Sequence, residues 1–231
     1  MALKTGTGGV GVDRRPTRRE ILQLMALAGA GAGVGAFLRS TAPIGRDVSR
    51  NQTAQRILSD RGSPQFGPAE ADLVVAVFSD YQCPACRFAE PALLEAIASD
   101  ARVRIIYRDW PVFGARSEQA ARVALAAHYQ GKYEAVHHLL MVEPSHLGDG
   151  VVREIAERAG ADWARLEQDM SAHESAISAA INQSGWDAFS LGLPGTPGYL
   201  IGPLLVVGAQ TLSGFRGAFG KARDITRGED G

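Results

Sequence analysis

The apolar positions divide the chain into segments of different period. "LVVAVFS", starting at Leu73, is a continuous apolar and β-branched run of strand length. A run without a polar face is the pattern of a strand buried on both sides. From Pro84 to about Ser99 the period changes, and Phe88, Ala89, Ala92, Leu93, Ala96 and Ile97 fall on one helical stripe. Pro91 lies inside that segment, where its missing N–H is expected to kink the helix. "RVRIIYRDW" reads as a second strand.

Between Ser117 and about Ser190 the pattern is helical. "SEQAARVALAAHYQG" opens on a cap-like Ser117 and closes on Gly131. "KYEAVHHLLM", "DGVVREIAERAG", "DWARLEQDMSA" and "ESAISAAINQSGWDAFSLG" follow, broken by Gly, Pro and Asp. The end of the chain returns to two short strands, "GYLIG" and "LLVVGA", around Gly202-Pro203, and then a helix, "SGFRGAFGKARDIT". The element order is therefore β-α-β, a helical block, and β-β-α. Upstream, residues 43–70 mix Pro, Gly, Ser, Gln and Arg and read as a linker around a short helix, "TAQRILSD".

Composition adds a compartment to this picture. The 231 residues are 45% hydrophobic with a net charge of −1, which suits one sizeable globular domain with appendages. The charge is unevenly placed: residues 1–42 hold six Lys/Arg against two Asp/Glu, leaving 18 basic and 23 acidic groups elsewhere. A mildly acidic body lacks the electrostatic footprint of a nucleic-acid binder. Thr17, Arg18, Arg19, Glu20, Ile21 and Leu22 fit the twin-arginine export pattern, and the stretch from Ile21 to Leu38 is uncharged. Glycines at alternate positions from Gly29 to Gly35 make that stretch a poor soluble helix. Ser40-Thr41-Ala42 offers a small-residue cleavage site, but Pro43 after it disfavours cleavage, so an uncleaved membrane anchor is the alternative to a removed signal. Either way the body is expected in the periplasm or another extracytoplasmic space, where disulfides persist.

The chain has two cysteines, Cys83 and Cys86, at the junction between the first strand and the helix after it. The first turn of a helix presents unpaired N–H groups and the positive end of the helix dipole. Both favour a thiolate, which makes Cys83 the expected nucleophile, with Pro84 suited to the first helical position. Cys86, about one turn further in, is expected to be more buried and to resolve a mixed disulfide by attacking Cys83. Two other uses stay open from these residues alone. A disulfide staple across so small a loop restrains the unfolded chain little, contributing about 2 kcal/mol. A metal half-site needs further donors, and His137 and His138 lie far away without a ligand-like spacing.

"FSDYQCPAC", followed by "YRDWPVFG", "QGKY" and "GTPGYLIG", resembles the exported DsbA-like branch of the thioredoxin superfamily, from about Ile57 to near Phe215. The resemblance implies an α/β thioredoxin fold with a helical domain inserted at about residues 113–190, the whole spanning 71–231. It implies a thiol-disulfide oxidoreductase whose redox equivalents are the Cys83–Cys86 disulfide, with no organic cofactor and no metal. In such proteins the proline matching Pro197 is cis and packs beside the Cys pair. The residue matching Thr196 offers backbone hydrogen bonds to an extended substrate segment. The implied partners are exported proteins with thiols or disulfides, and a membrane redox protein that recycles the pair.

Two departures bear on the direction of electron flow. Many relatives carry a Glu six residues before the first Cys, a buried acid that relays protons to the resolving thiol, where this chain has Val77. Strongly oxidising relatives carry a His between the cysteines, where this chain has Ala85 after Pro84. Asp80 is read as a turn-stabilising residue rather than a replacement for the missing Glu. Arg87 is a further source of positive charge beside Cys86, and His137 is expected to pack or hydrogen-bond rather than to catalyse. Donation of disulfides is the favoured direction. The competing class is a non-catalytic copper-handling or client-holding protein on the same fold.

Overall fold

The computed structural model describes residues 44–228, so the export segment expected over 1–42 lies outside the described residues. The element order is β1 (Arg46–Asp47), α1 (Gln52–Leu58), β2 (Gln65–Phe66), β3 (Leu73–Ser79), α2 (Pro84–Ala98) and β4 (Val103–Asp109). Five helices follow: α3 (Ala115–His128), α4 (Tyr133–Val142), α5 (Asp149–Arg158), α6 (Trp163–Ala172) and α7 (Glu174–Leu191). The chain closes with β5 (Gly198–Ile201), β6 (Leu204–Val207) and α8 (Leu212–Arg227).

One six-stranded sheet has the order β1-β6-β5-β3-β4-β2. β3 runs parallel to β4, with Leu73 opposite Val103 and Ser79 opposite Asp109, and antiparallel to β5. β3 is apolar throughout because both of its faces are covered. Leu73, Val75 and Val77 enter a core shared with α2, α8 and the inserted helices, while Ala76 and Phe78 enter a second core with Ile57, Ala188 and Leu191. Burying a side chain as large as Phe78 contributes about 2–3 kcal/mol. α7 reaches both layers, through Ile177 on one side and Ala188 and Leu191 on the other. The helical block thus leaves the sheet after β4 and returns before β5, where the sequence places it.

Three expectations change. The stretch over 43–70 carries both edges of the sheet: β1 pairs with β6, and β2 pairs with β4. Between them Asn51 caps α1, its side chain accepting from the Thr53 and Ala54 amides. α2 runs as one helix through Pro91; Ala89, Leu93 and Ala96 are buried as expected and Ala92 and Ile97 pack against the core, but Phe88 is 72% exposed and Glu90 is buried instead. Ser117 sits inside α3 rather than at its cap, which is Gly114, and is fully buried. Among the described residues no helix is long and apolar enough to cross a membrane.

Candidate redox site

Cys83 is the N-cap of α2 (φ −74°, ψ 115°), and Pro84 is the first residue of the helix. The Cys83 carbonyl accepts the first helical bonds, from the amides of Cys86 and Arg87. Its sulfur donates to the Thr196 carbonyl at 3.4 Å, and the Thr196–Pro197 peptide is cis. Gly198, next in the chain, allows a close approach: a Cβ there would lie 2.6 Å from Leu193 Cδ1. The structure therefore gathers Cys83, Pro84, Ala85, Cys86, Thr196 and Pro197 at one place from segments more than a hundred residues apart.

The expected contrast in burial between the cysteines is absent: both are free thiols and each is 3% exposed. The Thr196 carbonyl closes over Cys83 as tightly as the core encloses Cys86. Burial pushes the Cys86 thiol far up; the Asp80 amide pulls it down, the Cys83 charge adds to the rise, and the Thr196 hydroxyl opposes it. That hydroxyl is buried without another partner.

Asp80 holds the loop rather than the sulfurs. Oδ1 accepts from the Gln82 amide at 2.7 Å and the Ser117 hydroxyl at 2.7 Å, and Oδ2 from the Val112 and Phe113 amides at 2.6 and 2.9 Å. Its own carbonyl accepts from the Cys83 amide at 3.1 Å. With four donors on two oxygens, Asp80 has no lone pair free to take a thiol proton. Asp80→Ala is expected to lower stability by about 2–3 kcal/mol, because a buried Ser117 hydroxyl and the Gln82 amide lose a charged acceptor. Urea unfolding checks this, and an unchanged midpoint would show that water replaces the carboxylate freely.

Arg87 turns away from the sulfurs. Its guanidinium donates to the carbonyls of Tyr81, Leu140 and Glu143, capping the end of α4, where a cation is favourable. Val77 is buried between Tyr107 of β4 and Tyr199 of β5. A carboxylate nevertheless lies on the Cys helix, because Glu90 is one turn beyond Cys86 and 5% exposed. Burial works against its ionisation, but the charge and hydrogen bond of His137 and the proximity of His138 hold Glu90 down at about 2. His137 bridges it to Tyr81: Nε2 is 3.2 Å from Glu90 Oε1 and Nδ1 is 3.0 Å from the Tyr81 hydroxyl. Nearby, Tyr133 donates to Asp109 at 2.9 Å, and burial raises the Asp109 carboxyl. The sequence signal for Glu90 was its i+4 spacing from Cys86, masked by the apolar neighbours on either side. His128 and His146 are exposed, and His173 stacks on Tyr129 at 3.7 Å.

Val112 and Phe113 are exposed on the loop that Asp80 fixes. The same loop leads back to a cleft of ≈ 400 Å³ lined by Trp110, Pro111, Ile181, Trp186 and Phe189. A larger cleft of ≈ 470 Å³, lined by Arg108, Tyr129 and Ser184 among others, includes neither cysteine.

Comparison with known proteins agrees with this geometry. A thioredoxin-like oxidoreductase from Silicibacter pomeroyi DSS-3 superposes with a TM-score of 0.70 at 38% identity, covering 75% of this chain and 98% of that one. The thiol-disulfide exchange protein alpha-DsbA2 from Wolbachia pipientis gives 0.70 at 26% identity, covering 75% and 94%. Among curated proteins, the Na(+)/H(+) antiporter NhaA 1 of Salinispora arenicola (strain CNS-205) is 30% identical over 137 residues, 58% of this chain. The match takes in 21% of the antiporter's length, so the chain corresponds to about a fifth of that relative. The family model for the DsbA-like thioredoxin domain matches residues 74–220, which hold the Cys pair, the inserted helices and the cis-proline loop. The chain belongs to the DsbA-like thioredoxin domain family.

Proposed function

We propose that this protein is a thiol-disulfide oxidoreductase of exported proteins, and that it donates disulfides rather than removing them. The observation that carries the reading is Cys83 at the N-terminus of α2, its sulfur 3.4 Å from the carbonyl of the cis Thr196–Pro197 peptide, with Cys86 buried behind it.

In the donating direction a client thiolate attacks Cys83 of the oxidised pair. The Cys83–Cys86 bond breaks, Cys86 leaves as a thiolate that takes a proton, and the client is held as a mixed disulfide on Cys83. A second client thiolate then attacks the client sulfur of that bond and expels Cys83 as a thiolate at the N-terminus of α2. Two electrons pass from client to pair, one proton ends on Cys86 and the other client proton goes to solvent while Cys83 leaves as a thiolate, and a membrane oxidant takes the electrons on. The Thr196 backbone aligns an extended client segment by strand addition beside Pro197, and the apolar residues at Val112 and Phe113 suit an unfolded client. Cys83, Cys86, Thr196 and Pro197 are the working residues, with Pro84, Ala85 and Asp80 setting the loop between them. The extracytoplasmic setting inferred from the twin-arginine pattern favours donation over reduction.

The deciding measurement is the reduction potential of the pair in glutathione buffers. A donor is expected well above thioredoxin's value of about −270 mV, toward the value of about −120 mV for DsbA; a potential at the thioredoxin end overturns donation.

The raised Cys86 thiol sets a pH dependence. When Cys86 resolves a mixed disulfide, only its thiolate attacks, and below its displaced titration that fraction rises about tenfold per pH unit. The resolution rate is expected to climb without a plateau from about pH 6 to 9. A plateau near the ordinary thiol value of about 8.5 would show that Cys86 is not held up by burial.

A further inference from the structure

We propose that Glu90, His137 and His138 form a binding site for one divalent cation of the zinc type, tying the helix that carries both cysteines to the helical insertion. Glu90 comes from α2, and the two histidines are consecutive on α4. One donor atom from each lies within 4.8 Å of the others. The convergence is on Glu90 Oε1, which is 3.2 Å from His137 Nε2 and 3.5 Å from His138 Nδ1. Two ligands bound about 2.0–2.2 Å from zinc at a tetrahedral angle stand about 3.3–3.5 Å apart, so the carboxylate–imidazole spacings are those of two edges of such a site. Two imidazoles and one carboxylate suit zinc, leaving a fourth position for water.

Hydrogen bonding accounts for only part of the cluster. A His137 Nε2–H directed at Glu90 explains the shorter spacing, but His138 Nδ1 is buried and has no hydrogen-bond partner. A buried polar nitrogen without a partner is costly, and a cation accepting its lone pair removes that cost. The remaining nitrogen of His137 is placed as it is around bound metals: Nδ1 faces the Tyr81 hydroxyl at 3.0 Å, while Glu134 Oε1 lies 3.9 Å from His138 Nε2, an ion-pair approach beyond hydrogen-bond distance. The site also has an entrance: His137 is fully buried, whereas the His138 side chain is 32% exposed and Glu134 beside it is 49% exposed. The cysteines take no part, so the site is independent of the redox reading.

The test uses the full chain with Cys83 and Cys86 oxidised, so that thiols do not compete, after chelator treatment. Calorimetric titration with ZnCl2 is expected to show one equivalent. His138→Ala is expected to weaken binding by about tenfold or more, since even partners of the ligands are worth that much. His146→Ala, an exposed histidine outside the cluster, should leave binding unchanged. Co2+ in place of zinc is expected to give the strong visible absorption of a tetrahedral ion in the unsubstituted protein. Zinc should also raise the melting temperature of that protein and not of His138→Ala. Absence of a one-equivalent site, an undiminished affinity in His138→Ala, equal binding of Mg2+, or an octahedral Co2+ spectrum would each overturn the proposal.

Discussion

Replacing Cys86 by Ala is expected to leave the protein covalently attached to its clients, and replacing Cys83 by Ala to reduce exchange to the uncatalysed rate. The two sulfurs cannot be told apart by exposure, because each is 3% exposed. Position separates them. Cys83 caps α2 and touches the Thr196 carbonyl, where an extended client strand would lie, while Cys86 is one turn inside with a thiol that burial holds protonated. With clients that carry disulfides, Cys83 of Cys86→Ala attacks one client sulfur and expels the other as a thiolate, and without Cys86 to resolve it the mixed disulfide accumulates and is visible by non-reducing electrophoresis. Without Cys83 no sulfur remains at the helix N-terminus, and exchange with a reduced client should fall on the order of a thousandfold or more, about 4 kcal/mol of barrier. Adducts forming through Cys86 in Cys83→Ala would reverse the assignment. Full protection of clients by Cys83→Ala, with no exchange in either form of the protein, would favour the client-holding reading.

The parts of this site that were legible in the sequence are those with a period or a fixed spacing. β3 shows as an unbroken apolar run and β4 as a strand-length stretch with an apolar centre between Arg104 and Arg108, the inserted helices show as stripes between Gly and Pro breaks, and Cys-Pro-Ala-Cys marks the strand-to-helix junction. The edge strands β1 and β2 are two residues long, and two residues carry no period. The inward face of α2 is legible except at two positions: Phe88 is as apolar as the residues that are buried yet faces out, and a buried Glu90 contradicts the rule that carboxylates face water. His137 and His138 reach Glu90 across 47 and 48 positions, a pairing that no local pattern encodes. The Pro197 loop was found only because the residues around it resemble a family. Propensity alone favours a trans bond there.

Asp187→Ala is expected to be the most destabilising single substitution outside the apolar core, at about 3–5 kcal/mol by urea unfolding. Asp187 of α7 is paired with Arg108 of β4, and both side chains are nearly inaccessible, at 2% and 4%. Asp187 also binds Arg56 of α1, and Gln183 donates to it at 2.7 Å. Arg108 in turn donates to Asp60 at 2.8 Å and to Ser63 at 2.9 Å. Burial lowers the Arg108 guanidinium, and the carboxylates of Asp187 and Asp60 oppose that shift, so removing Asp187 leaves a nearly inaccessible cation with Asp60 alone of these two carboxylates. Arg108→Met should cost less, because Asp187 keeps Arg56 and Gln183. The double variant Asp187→Leu with Arg108→Met removes both charges and should recover at least about 2 kcal/mol relative to the sum of the single changes. Additive losses would mean that the two charges act independently. Strong coupling would identify this pair as the anchor of the last turns of α7, from which the chain runs through Gly192 directly into the Thr196–Pro197 loop, so that an ion pair on β4 holds the carbonyl that Cys83 touches.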